Sequence, residues 1–158
     1  MQLEISRTAE VIVRAPIGTP DKKIKLFLEQ HRDWIAGHLA RRERWIQKHP
    51  EPTEAEKKEL VARAKAYLPK RTMEYAAIMG VEPTGIRITS ARTRFGSCSS
   101  VNGICYSWRL MQYPKAAVDY VVVHELAHIL HKDHSREFYR TVEQYLPDYR
   151  ERRKLLKD

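Results

Sequence analysis

The feature that most constrains this chain of 158 residues is Pro114 to His134, a long apolar run carrying His124-Glu125-Leu126-Ala127-His128. Pro114 suits the first turn of a helix. From there Ala116, Ala117, Val118, Val121, Val122, Val123, Leu126, Ala127, Ile129 and Leu130 put apolar groups on nearly every helical face. A helix that is apolar all round is a buried helix. Two imidazoles and a carboxylate inside it need partners, because unpaired polar burial is costly. Positions i and i+4 share a face, so His124 and His128 aim at one point. Two imidazole nitrogens there suit zinc, which takes His at about 2.0–2.1 Å. Glu125 stands next to the first ligand and can take the proton of an attacking water as general base. The ordinary alternative is a set of core histidines bonded to carbonyls. The helical setting disfavours it.

A third ligand is required, and four of the seven histidines fall between 124 and 134. His131 continues the face at i+7, about 10.5 Å along the axis from His124. Three rings in such a row converge poorly. His134 lies beyond Lys132-Asp133, where the chain can leave the helix and fold back, and geometry favours it. Glu137 and Glu143 on the following helix remain alternatives.

The stretches Arg94-Phe95-Gly96-Ser97-Cys98, Ser107-Trp108-Arg109-Leu110, Asp119 to His128, His134-Ser135 with Phe138-Tyr139, and Leu146-Pro147-Asp148-Tyr149 together resemble the YgjP-like metal-dependent hydrolase family. That family is similar to SprT-like and other minimal zinc peptidases. The resemblance is strong from 84 to 156 and weaker before 50. It implies metal ligands at His124, His128 and His134, with Glu125 as the base. It also implies a zincin-like α+β fold, a small antiparallel sheet packed on the buried His-Glu-x-x-His helix with long helices flanking it. Phe95 departs from the family's usual Trp before Gly-Ser-Cys. Both are large aromatics, which reads as packing.

Length and composition point to one domain over 1–158, with an N-terminal hairpin and helices over 1–80 and the metal-site core over 84–158. An apolar share of 42% and a charged share of 31% exclude a disordered or membranous chain. No apolar stretch approaches the 18 or so residues of a spanning helix, and no signal peptide is visible, so the expected compartment is the cytoplasm. A net charge of +9 leaves nucleotides, acidic peptides and nucleic acid open as partners. The basic residues are interspersed with acidic ones, as in Arg41-Arg42-Glu43-Arg44, so composition gives nucleic acid little support.

Along the chain, Leu3/Ile5 and Val11/Val13 alternate as an antiparallel pair with a turn at Thr8-Ala9-Glu10. Thr19 and Pro20 start a helix expected to reach Lys48. His49 to Pro52 breaks it as an elbow. Thr53 and Glu56 form a capping box for a second helix ending at Met79, with Gly80 as its exit and a kink or split expected at Pro69. Ile86 to Ser90 reads as a strand. Asn102-Gly103 signals a two-residue hairpin turn, with Ile104 to Met111 as the return strand. That register places Cys98 diagonally from Cys105, too far for an unstrained bridge, so both thiols are expected free. Ser135 can cap a helix carrying Phe138 and Tyr139, and a basic helix closes the chain.

The expected activity is that of a zinc-dependent hydrolase, one ion per chain with other divalent metals open, acting on a peptide bond. A nucleotide pyrophosphatase is the second reading, favoured by the charge and the neighbouring arginines. A non-catalytic metal-stabilised binding module is the third, and Glu125 weighs against it. Arg94, Arg109 and Tyr139 are candidate substrate or transition-state contacts.

Overall fold

A computed structural model describes residues 1–156. Internal contacts divide the chain into two compact units, Met1–Glu51 and Pro52–Asp158. The fold is mixed α and β.

In the first unit β1 (Gln2–Ile5) pairs antiparallel with β2 (Val11–Arg14). Ala9 takes the left-handed conformation in the connecting turn, where its N–H donates to Ser6 O. The helix expected over 20–48 is two helices, α1 (Asp21–Gln30) and α2 (Arg32–Lys48). His31 interrupts it with ψ of 16°, and its Nδ1 bonds the Phe27 carbonyl at 2.8 Å. A one-residue break of this kind is a local event that apolar spacing does not reveal. Thr19 does not cap α1. Its hydroxyl donates back to Pro16 O at 2.6 Å.

The second unit begins with α3 (Glu54–Met79), whose first turn is capped as expected by the Thr53 hydroxyl accepting from Glu56 N–H. Gly80 ends α3 in the left-handed conformation (φ 68°). The helix runs through Pro69 as one element. Ala64, Leu68, Thr72, Ala76 and Met79 are buried along it, so packing on both sides of the proline outweighs the lost hydrogen bond.

The sheet has the order β3-β5-β4, built from β3 (Gly85–Thr89), β4 (Gly96–Cys98) and β5 (Gly103–Ser107). The β4–β5 pair is antiparallel, but β3 pairs with β5 in parallel. The hairpin register also differs from expectation. Cys98 pairs with Ile104 and Ser97 with Cys105, which leaves Ser99 to Asn102 as a four-residue loop. Ser99 closes it, its hydroxyl accepting from Gly103 N–H at 2.9 Å, and Asn102 is left-handed (φ 67°). Successive positions face opposite sides of a sheet, so Cys98 and Cys105 point apart and both thiols are free. The return strand stops at Ser107 instead of Met111. Residues Trp108–Gln112 form a tight 3-10 turn, started by the Ser107 hydroxyl accepting from Arg109 N–H.

The core element is α4 (Lys115–Leu130), with Pro114 before its first residue. It is buried from Ala117 to Val123 and again from Glu125 to His128. α5 (Arg136–Tyr145) follows, capped by the Ser135 hydroxyl accepting from Phe138 N–H, and then α6 (Tyr149–Lys154). Asp119 of α4 receives Arg71 of α3 through two bonds of 2.9 Å, and Arg152 of α6 stands 3.9 Å from it. This polar cluster ties three helices together at the upstream half of α4.

Candidate metal centre

The helical repeat places His124 and His128 one turn apart on α4. The helix ends at Leu130, and His131 is already extended (φ −135°, ψ 110°). The chain then folds back, and His134 returns to the two imidazoles. One ligand-capable atom from each of His124, His128 and His134 lies within 4.8 Å of the other two. The Nε2 atoms of His124 and His134 are 3.4 Å apart. Two nitrogens on a tetrahedral zinc at about 2.05 Å would stand about 3.3 Å apart, so the donor set fits the ion.

The outer nitrogens fit it too. His128 Nδ1–H donates to the His131 carbonyl at 2.9 Å, which leaves the Nε2 lone pair of that ring bare. His124 Nδ1 is 3.2 Å from the Tyr120 hydroxyl. Phe138, fully buried, forms the floor. Its ring stacks on His128 at 4.3 Å and meets His124 and His134 edge-on at 4.9 and 5.3 Å. Burial and the neighbouring imidazoles His128 and His134 push His124 down to about 3, and burial lowers His128 as well. Both rings are therefore neutral at physiological pH, the form a metal requires.

Glu125 is buried, with 6% of its surface exposed. Its Oε1 lies 3.8 Å from His124 Nε2, and its buried Oε2 has no hydrogen-bond partner among the described residues. Burial pushes its carboxyl up to about 7, and the charge of Arg94 opposes that rise. The space for this side chain comes from Gly96 on β4. A Cβ there would stand 3.0 Å from Glu125 Cγ, 3.1 Å from the Cys105 carbonyl and 3.3 Å from Val121 Cγ1.

His131 does not join the cluster; its Nε2 bonds the Thr141 hydroxyl at 3.1 Å. Its backbone carbonyl, not its ring, is what meets His128. Glu137, Glu143 and Cys98 are likewise outside the three-histidine group. Arg94 is exposed and reaches Glu125 through its field. Arg109 lies over the Trp108 ring at 4.4 Å. Tyr139 packs on Phe138 and Tyr149, with its ring 6.4 Å from that of His134. Lys132 ties the loop between His131 and His134 to the β4–β5 turn, donating to Ser99 O at 3.0 Å and to Asn102 Oδ1. Sequence reasoning missed Tyr120. Its signal was available, because it precedes His124 by four residues on one helical face.

No helix among the described residues is long and apolar enough to cross a membrane. A search of curated proteins returns no match. Among solved structures, the crystal structure of the metallopeptidase zymogen of Pyrococcus abyssi abylysin is similar at a TM-score of 0.48 and 22% identity. The likeness covers 53% of this chain and 86% of that one. The family described as YgjP-like, metallopeptidase domain, matches residues 1–61 and 46–158. With both matched segments together spanning the sequence, the chain belongs to the YgjP-like metallopeptidase family.

Proposed function

We propose that this protein is a zinc-dependent peptidase in which His124, His128 and His134 hold one ion and Glu125 is the general base. The observation that carries this reading is the convergence of three imidazoles beside a buried carboxylate with an unpartnered oxygen. When bound, zinc supplies a Lewis acid that acidifies water and polarises a carbonyl oxygen. Three protein ligands leave a fourth position open, as a catalytic site needs and a closed structural site does not. Glu125 Oε2 accepts the proton of the attacking water and then delivers it to the departing amine nitrogen. A buried carboxyl with one oxygen left unpartnered is placed for both transfers. Phe138 keeps the rings in place and water out from below. Arg94 holds the Glu125 charge without pairing with it directly.

The family finding concerns peptidases and lends a nucleotide or nucleic-acid partner no support. Side-by-side assays of labelled casein and nucleoside triphosphates, each with and without chelator, test the substrate class. Glu125→Gln should keep zinc while turnover of casein falls roughly 10²–10⁴-fold. Single Ala variants of His124, His128 and His134 should lose zinc by elemental analysis, whereas His131→Ala keeps it. Full peptidase activity in Glu125→Gln would refute the assigned base, and hydrolysis of nucleotide alone would refute the assigned substrate.

A further inference from the structure

Each of the two helical histidines has a distinct outer partner, and only one of these is a side chain. His128 Nδ1 uses the His131 carbonyl, a partner that no substitution of residue 131 removes. His124 Nδ1 faces the hydroxyl of Tyr120 at 3.2 Å, with the two rings edge-on at 5.6 Å. Tyr120 is 4% exposed. The Arg153 side chain of α6 stands close enough to interact with the same hydroxyl. The neighbouring Arg152 grips the same part of α4, donating to Ala116 O at 3.3 Å. The short terminal helix thus delivers an arginine to the back of a ligand ring.

From this chain of contacts we infer that Tyr120 is a positioning residue of the metal centre, with Arg153 setting the Tyr120 hydroxyl in turn. The inference rests on His124 being a ligand. A neutral imidazole carries one proton, on either Nδ1 or Nε2. Ligation through Nε2 requires the proton at Nδ1, where it needs an acceptor in a buried setting. The Tyr120 oxygen is that acceptor. Arg153 has no acceptor atom and can only donate, so it holds the oxygen in place for the ring. Without the hydroxyl, Nδ1–H loses its partner, and the tautomer with the proton on Nε2, which blocks ligation, gains population. Partners of this kind typically govern 10–100-fold in metal affinity.

The experiment uses the full-length protein stripped with a chelator and titrated with zinc against a chromophoric competitor. Tyr120→Phe keeps the ring and removes only the oxygen. Its zinc affinity should fall about 10–100-fold, while circular dichroism and the melting temperature of the metal-free protein stay near wild type. Arg153→Gln should weaken binding less, and the double variant should be no weaker than Tyr120→Phe, because the two act in series. Long-range proton–nitrogen spectra of the zinc-loaded wild type should show the His124 proton on Nδ1. Wild-type zinc affinity in Tyr120→Phe overturns the inference, as does a proton found on Nε2. Additive losses in the double variant overturn the series arrangement with Arg153. His124→Ala is the separate check. If it binds zinc as wild type does, the ligand assignment itself has failed.

Discussion

Gly96 of β4 leaves no room for a side chain against α4, and replacing it with alanine tests the construction of the site. The added Cβ would approach Glu125 Cγ at 3.0 Å, Val121 Cγ1 at 3.3 Å and the Cys105 carbonyl at 3.1 Å. The first two neighbours are side chains that can give. The third is backbone in the central strand β5 and cannot move without disturbing its pairings with β3 and β4. Overpacking of this kind costs about 1–3 kcal/mol. A value near 2 kcal/mol follows from one rigid and two yielding neighbours. At about 2–4 °C per kcal/mol for a chain of this size, the melting temperature should fall by about 4–8 °C. Part of the strain is relieved by displacing the Glu125 side chain, and misplacement by about 1 Å can cost 10²-fold in rate. Zinc affinity should hold, since no histidine contacts Gly96 among the close neighbours. Differential scanning fluorimetry, zinc titration and casein turnover on one preparation read all three. An alanine variant with wild-type melting and turnover would refute the close packing of β4 against Glu125.

Three further outcomes follow from other parts of the second unit. In chelator-stripped protein the Glu125 carboxyl, raised from 4.5 to about 7, binds a proton more readily folded than unfolded. Its contribution is thus present below 4.5 and is lost as pH rises through 7, on the order of 3 kcal/mol. Glu125→Gln should therefore gain stability over wild type between pH 5 and pH 8 in denaturant titrations. His124 acts with the opposite sign, losing stability as pH falls from 6.5 toward 3, but both proteins share it, so their difference isolates Glu125. An unchanged difference across that range would contradict the burial of the carboxylate. Phe138→Ala should cost about 3–5 kcal/mol and weaken zinc binding, because the fully buried ring touches all three imidazoles. Calorimetry with and without zinc separates the two effects. Arg71→Leu should destabilise by about 2–3 kcal/mol, less than for a fully buried pair, because the arginine keeps 32% exposure. Urea unfolding is the measure.

How much could be seen in advance depended on whether the cause was local. The burial of α4, the Thr53 and Ser135 caps and the Gly80 exit are set by residues within one turn, and the structure has them where the sequence put them. The departures have causes further away or of another kind. The one-residue break at His31 leaves no mark in the apolar spacing on either side of it. The strand ended early because Ser107 turns the chain, its hydroxyl donating to Ala91 O at 2.7 Å, although the apolar alternation continues through Leu110. The parallel β3–β5 pairing joins segments 18 residues apart in register, beyond the reach of periodicity. At the candidate centre, His134 lies beside the two helical histidines, a placement that a fold-back at Lys132-Asp133 allows. The part played by the His131 carbonyl needed coordinates, since a backbone partner leaves no spacing rule behind, whereas Tyr120 stands one turn before His124 and was within reach of the helical spacing.

The Arg71–Asp119 pair has a mechanical meaning. A helix with one apolar stripe finds its rotation about its own axis by burying that stripe. α4 is apolar nearly all round, so burial alone leaves its angular setting loose, and rolling it would hide equally greasy faces. Each residue advances about 100° round the axis, which puts Asp119 about 140° from His124. Pinning Asp119 to Arg71 of α3 at 2.9 Å through two bonds indexes the helix like a key on a shaft. The direction in which the imidazoles point is then inherited from a helix that contributes no ligand. Changes on α3 can thus mis-aim the three imidazoles without touching them.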